Sequence, residues 1–246
     1  MDPRLTPHLR CRDCPIRHRA ICSRCGSEEL KKLDALKFYR TYSPGDHIAW
    51  AGEKLEFLGS VVKGYAAVSR TIPDGRRQMV GLLLPSDFVG RPGRESTRYD
   101  VVASTEITLC MFRKTEFERL VAETPSLERR LLEMTLDELD VAREWMLLLG
   151  RKTAREKIAS LLAILARRSA ALGLRDPDDG LGFELPFTRE TMADYLGLTI
   201  ETVSRQLTSL RKDGIVAMKD AHYFAIPDYT LLLDEAGEDS DGGIFS

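Results

Sequence analysis

The chain has 246 residues, of which 43% are hydrophobic and 30% charged, with a formal net charge of −2. That length gives room for two domains with separate cores, and the near-neutral balance excludes wholesale electrostatic attraction to nucleic acid, so any DNA-binding surface must be a local patch. No apolar run approaches the roughly 18 residues of a membrane span. The opening Met1-Asp-Pro-Arg4 lacks the basic-then-apolar pattern of a secretory signal, so the expected location is the cytoplasm.

Four of the five cysteines, Cys11, Cys14, Cys22 and Cys25, fall within residues 1–27. This segment is polar and basic, with Arg10, Arg12, Arg17, Arg19 and Arg24 around the thiols. It offers little to pack, so a bound group rather than a hydrophobic core is expected to order it. In a cytoplasmic chain such thiols are metal ligands or redox groups more often than disulfides. The arginines are expected to lower the thiol pKa values and to offset thiolate charge. Spacing alone accommodates either a tetrahedral zinc or an iron–sulfur cluster. A zinc site would use Cys11, Cys14, Cys22 and Cys25 and leave Cys110 as a buried strand residue.

From residue 28 to 123 the texture predicts a β domain. Short apolar runs at Phe38-Tyr39, His47–Trp50, Phe57–Val62, Tyr65–Val68 and Met79–Leu84 alternate with turn signals such as Pro44-Gly45, Lys63-Gly64 and Pro73-Asp74-Gly75. Glycine-bearing turns at such short intervals are what an antiparallel roll or barrel requires. A last strand, Thr105–Phe112, carries Cys110.

Thr124-Pro125 then reads as an N-cap followed by a first-turn proline, opening a helix over residues 124–150. Leu132, Thr135, Leu139, Ala142, Met146 and Leu149 are spaced as in the seam of a two-stranded coiled coil, which predicts a homodimer. A second apolar face, Leu131, Met134, Val141, Trp145 and Leu148, is expected to lie on the β domain.

Residues 151–234 predict a further domain. It begins with an amphipathic helix over Thr153–Leu172, followed by a flexible loop from Gly173 to Gly180. Thr188 caps a helix that Gly197 ends, Thr199 caps a second that Gly214 ends, and Ile215–Met218 with Tyr223–Ile226 forms a hairpin across a turn at residues 219–221. Helix, tight turn, helix and hairpin make a winged helix-turn-helix. With Met192, Ala193, Leu196, Leu198, Val203 and Leu207 inside, Glu201, Thr202, Ser204, Arg205 and Ser209 point outward. Arg205 is suited to a guanine and Glu201 to a cytosine amino group. Arg211, Lys212 and Lys219 are placed for phosphates. Residues 235–246 read as an acidic, mobile tail.

Glu201-Thr-Val-Ser-Arg205, preceded by Ala193-Asp-Tyr-Leu-Gly-Leu-Thr199, closely resembles the helix-turn-helix signature of the CRP/FNR superfamily, and the resemblance covers nearly the whole chain. It implies an α+β protein: an N-terminal antiparallel β-roll of the cupin-like, cyclic-nucleotide-binding-domain fold, a long dimerisation helix and a C-terminal winged helix-turn-helix. It implies that Glu201, Ser204 and Arg205 read bases, in the version that reads a TTGAT-type inverted repeat. Nucleotide-binding members carry a Gly-Glu segment and an Arg-Ser pair. Here Arg91-Pro92 follows Asp87-Phe-Val-Gly90, and Arg98-Tyr99-Asp100 brings a carboxylate where a phosphate would lie, so no cyclic nucleotide is expected.

The resemblance to FNR-type oxygen sensors further implies a [4Fe–4S] cluster held by three N-terminal cysteines and one from the β-roll. Those map onto Cys11, Cys14, Cys22 and Cys110, with Cys25 an extra thiol and a possible alternative to Cys22. An intact cluster without oxygen would then favour the DNA-binding dimer. The turn Pro73–Arg77 is the expected contact for RNA polymerase. An enzyme is not expected: there is no dinucleotide fingerprint or P-loop lysine, and His8, His18, His47 and His222 have no catalytic spacing. A dimeric regulator with structural zinc or no metal, gated by another signal, is the alternative.

Overall fold

The computed structural model describes residues 10–75, 77–171, 181–185, 188–219 and 223–237. They form two units, one ending at Leu136 and the other starting at Asp137. In the first unit β1 (Phe38–Tyr42), β2 (His47–Ala49), β3 (Phe57–Lys63), β4 (Ala66–Thr71), β5 (Arg77–Leu83), β6 (Phe88–Val89), β7 (Asp100–Ala103) and β8 (Ile107–Arg113) build two antiparallel sheets. Their orders are β1-β8-β3-β6 and β2-β7-β4-β5. Alternation along the strands decides what lies inside. Tyr42, Val61, Ile107, Leu109 and Met111 of one sheet meet Ala66, Val101 and Ala103 of the other. The expected antiparallel roll is present.

The outer face of the first sheet is not solvent. Leu58 and Phe112 on it are covered by α1 (Ser27–Leu36) through Leu30 and Leu33, by α2 (Lys114–Ala122) through Phe117 and Leu120, and by Leu127 at the start of α3 (Pro125–Arg151). The N-terminal segment joins this layer. Ile16, Ala20 and Ile21 are buried, as are Cys11 and Cys25. The expectation that residues 1–27 have little to pack is therefore corrected: three small apolar side chains and two thiols anchor the segment on the roll. Burial of each isoleucine is worth about 1.5–3 kcal/mol, which is enough to seat a short segment.

The long helix α3 spans 27 residues. Its predicted seam, Leu132, Thr135, Leu139, Ala142, Met146 and Leu149, is exposed along its whole length, with Leu132 at 61% and Met146 at 66%. The second face divides. Leu131 and Met134 pack against the outer layer of the roll. Trp145 and Leu148, expected on the β domain, are instead buried within the second unit, where Trp145 stacks on Tyr195 at 4.2 Å between centroids. An aromatic pair of this kind is worth about 0.5–1.5 kcal/mol beyond the area it buries.

In the second unit α4 (Ala154–Ala171) buries Ile158, Leu161, Leu162 and Leu165. After it come β9 (Leu181–Glu184), α5 (Arg189–Leu196), α6 (Ile200–Lys212), β10 (Ala217–Met218), β11 (Tyr223–Ile226) and α7 (Tyr229–Ala236). The wing is a three-stranded sheet in the order β10-β11-β9. The loop expected at 173–180 and the turn residues 220 and 221 lie outside the described residues. So does the tail from 238 onward, but its expected start at 235 is corrected. Asp228 Oδ1 accepts from the Thr230 and Leu231 amides and starts α7, which carries the chain through Ala236. Among the described residues, no helix is long and apolar enough to cross a membrane.

Caps fix the two helices of the helix-turn-helix. Thr188 Oγ1 accepts from Thr191 N at 3.2 Å, and Thr199 Oγ1 accepts from Thr202 N at 3.2 Å. Between them Gly197 turns the chain at φ +63°, in the left-handed region. Thr199→Ala is expected to lower stability by about 1 kcal/mol, read as the shift in urea midpoint, because the first turn of α6 loses its acceptor.

Candidate metal centre and nucleic-acid interface

Three pieces of chain bring the cysteines to one side of the roll. A single 3-10 turn, Cys11–Asp13, is tied to α1 because Asp34 Oδ1 accepts the Cys11 amide at 2.8 Å. Hydrogen-bonded turns carry the chain on through Cys14 and Cys22 to Cys25, where Glu29 accepts the Gly26 amide at 2.7 Å and opens α1. The third piece is β8. Its odd-numbered residues Leu109 and Met111 face the roll interior, so Cys110 faces outward toward the N-terminal segment.

Each thiol is pushed up from its ordinary value, and in each case burial is the largest cause. Burial raises Cys11 to about 12 and Cys25 to about 11. The expectation that the surrounding arginines would lower these values is corrected. Arg10 and Arg12 turn to Asp13, and Arg24 turns to Glu133. Of the five only Arg17 acts on thiols, favouring the thiolates of Cys22 and Cys25. The cation that matters more is Lys37, at the junction of α1 and β1, which favours the thiolates of Cys11, Cys14, Cys22 and Cys110. Its side chain is 7% exposed and ion-paired with Asp34. The Lys37 hydrogen bond, working against some burial, holds the Asp34 carboxyl down at about 2. Nothing in the local sequence distinguishes Lys37 from its solvated neighbours Lys31 and Lys32; only the fold puts it beside the thiols.

Cys110 and Cys22 pack against the outer core that contains Cys11 and Cys25. Cys11, Cys14 and Cys22 all act on Cys110. Cys25 is raised in part by the charge of Cys22, and the Ser126 hydroxyl donates to its sulfur at 4.0 Å. In the arrangement seen, no three His, Cys, Asp or Glu side chains among the described residues stand close enough to hold a metal ion. The donor set nonetheless suits an iron–sulfur group: thiols from two chain segments, a buried lysine to offset negative charge, and the buried Ser60 hydroxyl without a partner on the strand beside Cys110.

In the second unit α6 carries the residues expected to read DNA. Val203, Leu207 and Leu210 are buried, while Glu201 and Arg205 are exposed and Ser204 half-buried. Arg189, at the start of α5, donates to Ser204 Oγ at 3.3 Å. The sequence alone does not single out Arg189, which this contact places beside α6. Ser209, expected to point outward, is instead held by Arg155 Nη1 at 2.9 Å, and Arg155 also pairs with Asp213 and Glu235. The C-terminal end of α6 is thereby fastened to α4 and α7. Arg211 and Lys212 are exposed in its last turn, and Lys219 lies over the Tyr223 ring at 5.0 Å.

On the roll, the Asp100 carboxylate accepts the Ala51 amide at 2.9 Å. The turn at 73–77 is exposed at Pro73, Asp74 and Gly75, Arg76 lies outside the described residues, and Arg77 Nε donates to Ser69 Oγ at 2.9 Å.

Two family models match the chain: a cyclic nucleotide-binding domain over residues 39–124 and a Crp-like helix-turn-helix domain over residues 156–235. The chain is 61% identical to the transcriptional activator protein FnrL of Cereibacter sphaeroides over 96% of this chain and 95% of that one. It is 39% identical to the nitrogen fixation regulation protein FixK of Bradyrhizobium diazoefficiens, over 85% and 86%. The solved structure of FixK2 from Bradyrhizobium japonicum superposes with a TM-score of 0.74 at 30% identity, covering 83% of this chain and 98% of that one. With this sequence, this β-roll and this helix-turn-helix, the chain belongs to the CRP/FNR family of DNA-binding transcription regulators and is not an enzyme.

Proposed function

We infer that this chain is a cytoplasmic, oxygen-responsive transcriptional activator that binds a TTGAT-N4-ATCAA-type palindrome as a homodimer. Its sensor is a [4Fe–4S] cluster held by Cys11, Cys14, Cys22 and Cys110, with Cys25 as a packing residue. The observation that carries the reading is that Cys110, facing outward from β8, packs on the same outer core as Cys11 and Cys22 of the N-terminal segment, while Cys25 of that core takes the Ser126 hydroxyl. When bound, the cluster supplies an oxygen-labile crosslink between the two pieces of chain. Lys37 and Arg17 offset thiolate charge, and Asp34 holds the backbone of Cys11 in place. Because the N-terminal segment rests on Leu131 and Met134 of α3 through the shared outer core, its seating bears on the exposed seam of the same helix. That seam is the surface on which a second copy docks, setting two helix-turn-helix units against one palindrome. The domain limits that go with this reading are 1–27, 28–123, 124–150 and 151–237, the last extended past 234 to take in α7.

Glu201, Ser204 and Arg205 read bases, and Arg211, Lys212 and Lys219 take phosphates. Asp100 and the absence of an Arg-Ser pair make the roll a poor home for a cyclic phosphate, and we assign it no cyclic nucleotide. The exposed turn at 73–75 is assigned to RNA polymerase. The activator role follows FnrL, whose name describes it as one. Fluorescence anisotropy of the anaerobic protein on the palindrome, repeated after air, tests the reading: binding should weaken at least about tenfold in air, and air-stable binding contradicts it. Arg205→Ala should cost about 1–3 kcal/mol on the palindrome while leaving binding to a scrambled duplex unchanged.

A further inference from the structure

The outer face of the first sheet holds a row of side chains at Cys110. β8 lies between β1 and β3, with Tyr39 opposite Cys110 on one side and Ser60 opposite it on the other. All three face outward: Leu58, two residues from Ser60, belongs to the outer core with Cys110, whereas Val61, Leu109 and Met111 belong to the inner one. Directly opposed residues on neighbouring antiparallel strands have their Cβ atoms only about 5 Å apart. The strands are also drawn close here. A Cβ added at Gly59 would lie 2.5 Å from the Cys110 carbonyl oxygen.

The two hydroxyls of the row are treated differently. Tyr39 is buried and its hydroxyl engages the Cys110 sulfur. Ser60 is 2% exposed, and its Oγ has no hydrogen-bond partner. A buried hydroxyl in that state costs free energy on the order of 1–3 kcal/mol. Alanine at this position would avoid the cost at almost the same volume. A thiol is a weak acceptor, but a thiolate that ligates iron is a good one, and the thiolate within reach along this row is that of Cys110.

We propose that Ser60 is a positioning residue for the metal centre, its hydroxyl donating to the Cys110 sulfur when that sulfur is an iron-bound thiolate. The inference rests on the cluster reading above. A donor to a ligating sulfur withdraws electron density and makes the centre harder to oxidise. It also orients the one ligand that comes from the roll. Ser60 thus slows the response to oxygen rather than permitting it.

The test compares wild type, Ser60→Ala and Ser60→Thr, purified without oxygen. Iron and acid-labile sulfide are counted, the iron–thiolate stretches are read by resonance Raman, and loss of the visible absorption in air is timed. Urea midpoints of the metal-free proteins are measured alongside. The proposal expects Ser60→Ala to load iron, to lose its absorption about threefold faster, to shift an iron–thiolate stretch, and to match or exceed wild-type stability when metal-free. Ser60→Thr, which keeps the hydroxyl, should restore both the rate and the stretch. If Ser60→Ala holds less iron at unchanged metal-free stability, that supports the proposal as well. If loaded Ser60→Ala has the wild-type rate and spectrum, the Ser60 assignment falls while the cluster stands. It falls too if the metal-free variant is destabilised, since the hydroxyl then serves the fold. A wild-type protein without iron and sulfide overturns both.

Discussion

A Cys110→Ser chain purified without oxygen is expected to lose more than about nine-tenths of its iron and sulfide, whereas Cys25→Ser keeps them. Cys110 supplies the only thiol on the roll, and the N-terminal thiols of Cys11, Cys14 and Cys22 all bear on it. Removing it unties the N-terminal segment from β8 and leaves that segment held by packing of Cys11, Ile16, Ala20, Ile21 and Cys25 and by the Cys11 amide on Asp34. The exchange replaces sulfur by oxygen at a half-buried position beside two hydroxyls, so the metal-free fold should persist. Cys25 is a different kind of residue. It is buried in the outer core against Leu127 and the Ser126 hydroxyl, so Cys25→Ser costs packing, about 1 kcal/mol of stability, without touching metal content. Iron analysis and urea unfolding of the two variants separate these roles. Loss of iron from Cys25→Ser with retention in Cys22→Ser would reverse the assignment of the third ligand.

The largest loss of stability is expected from Gly64→Ala. Gly64 sits between β3 and β4 at φ +82°, and a Cβ built there would lie 2.1 Å from the Glu106 carbonyl oxygen and 2.8 Å from the Ile107 Cα. Both atoms belong to backbone, so neither can rotate away. Left-handed strain alone costs about 1–3 kcal/mol, and forcing β8 outward adds to it, for a total on the order of 4 kcal/mol. Ile107 is fully buried in the inner core, so the displacement would spread along β8 to Cys110. The urea midpoint of Gly64→Ala should fall steeply, and metal loading should fall with it. A Gly75→Ala control at the exposed turn also has positive φ but nothing near its Cβ, so it should pay the strain term alone.

Those parts of the fold governed by local rules were legible in the chain. The helix-turn-helix announced itself through Thr188, Gly197 and Thr199, because caps and left-handed glycines act over four or five residues. The exposed stripe of α3 was legible because a coiled-coil spacing needs only one helix to define it. Strands of the roll were legible from their turns. Short helices were not: α1, α2 and α7 each bury only two or three side chains, and their amphipathic pattern is too brief to stand out from charged loops. The clue to α7 was present in Asp228 as an N-cap, and the clue to α1 in Glu29 reaching back to Gly26.

The candidate site divides the same way. The sequence offered the residue types suited to the proposed chemistry, and the resemblance named Cys110 as the expected distant partner. What spacing could not give was which cysteines meet, since that depends on which face of β8 is outward. Nor could it give Lys37, Asp34 or Ser60, whose roles arise from burial beside the thiols. The arginines misled because a charge that is close in sequence is free to turn to Asp13 or Glu133 instead. In the second unit, Trp145 was placed on the wrong partner, and Ser209 was read as solvent-facing although Arg155 holds it. Periodicity tells which face of a helix a side chain takes, and the tertiary fold decides what lies against that face.

The most direct measurement is the metal content of the full-length chain isolated under strict anaerobiosis. The account predicts about four irons and four acid-labile sulfides per chain, no stoichiometric zinc, and loss of both iron and sulfide together with palindrome binding on exposure to air. Stoichiometric zinc, or no metal with binding that survives air, would contradict it and leave a dimeric regulator of this family answering to another signal.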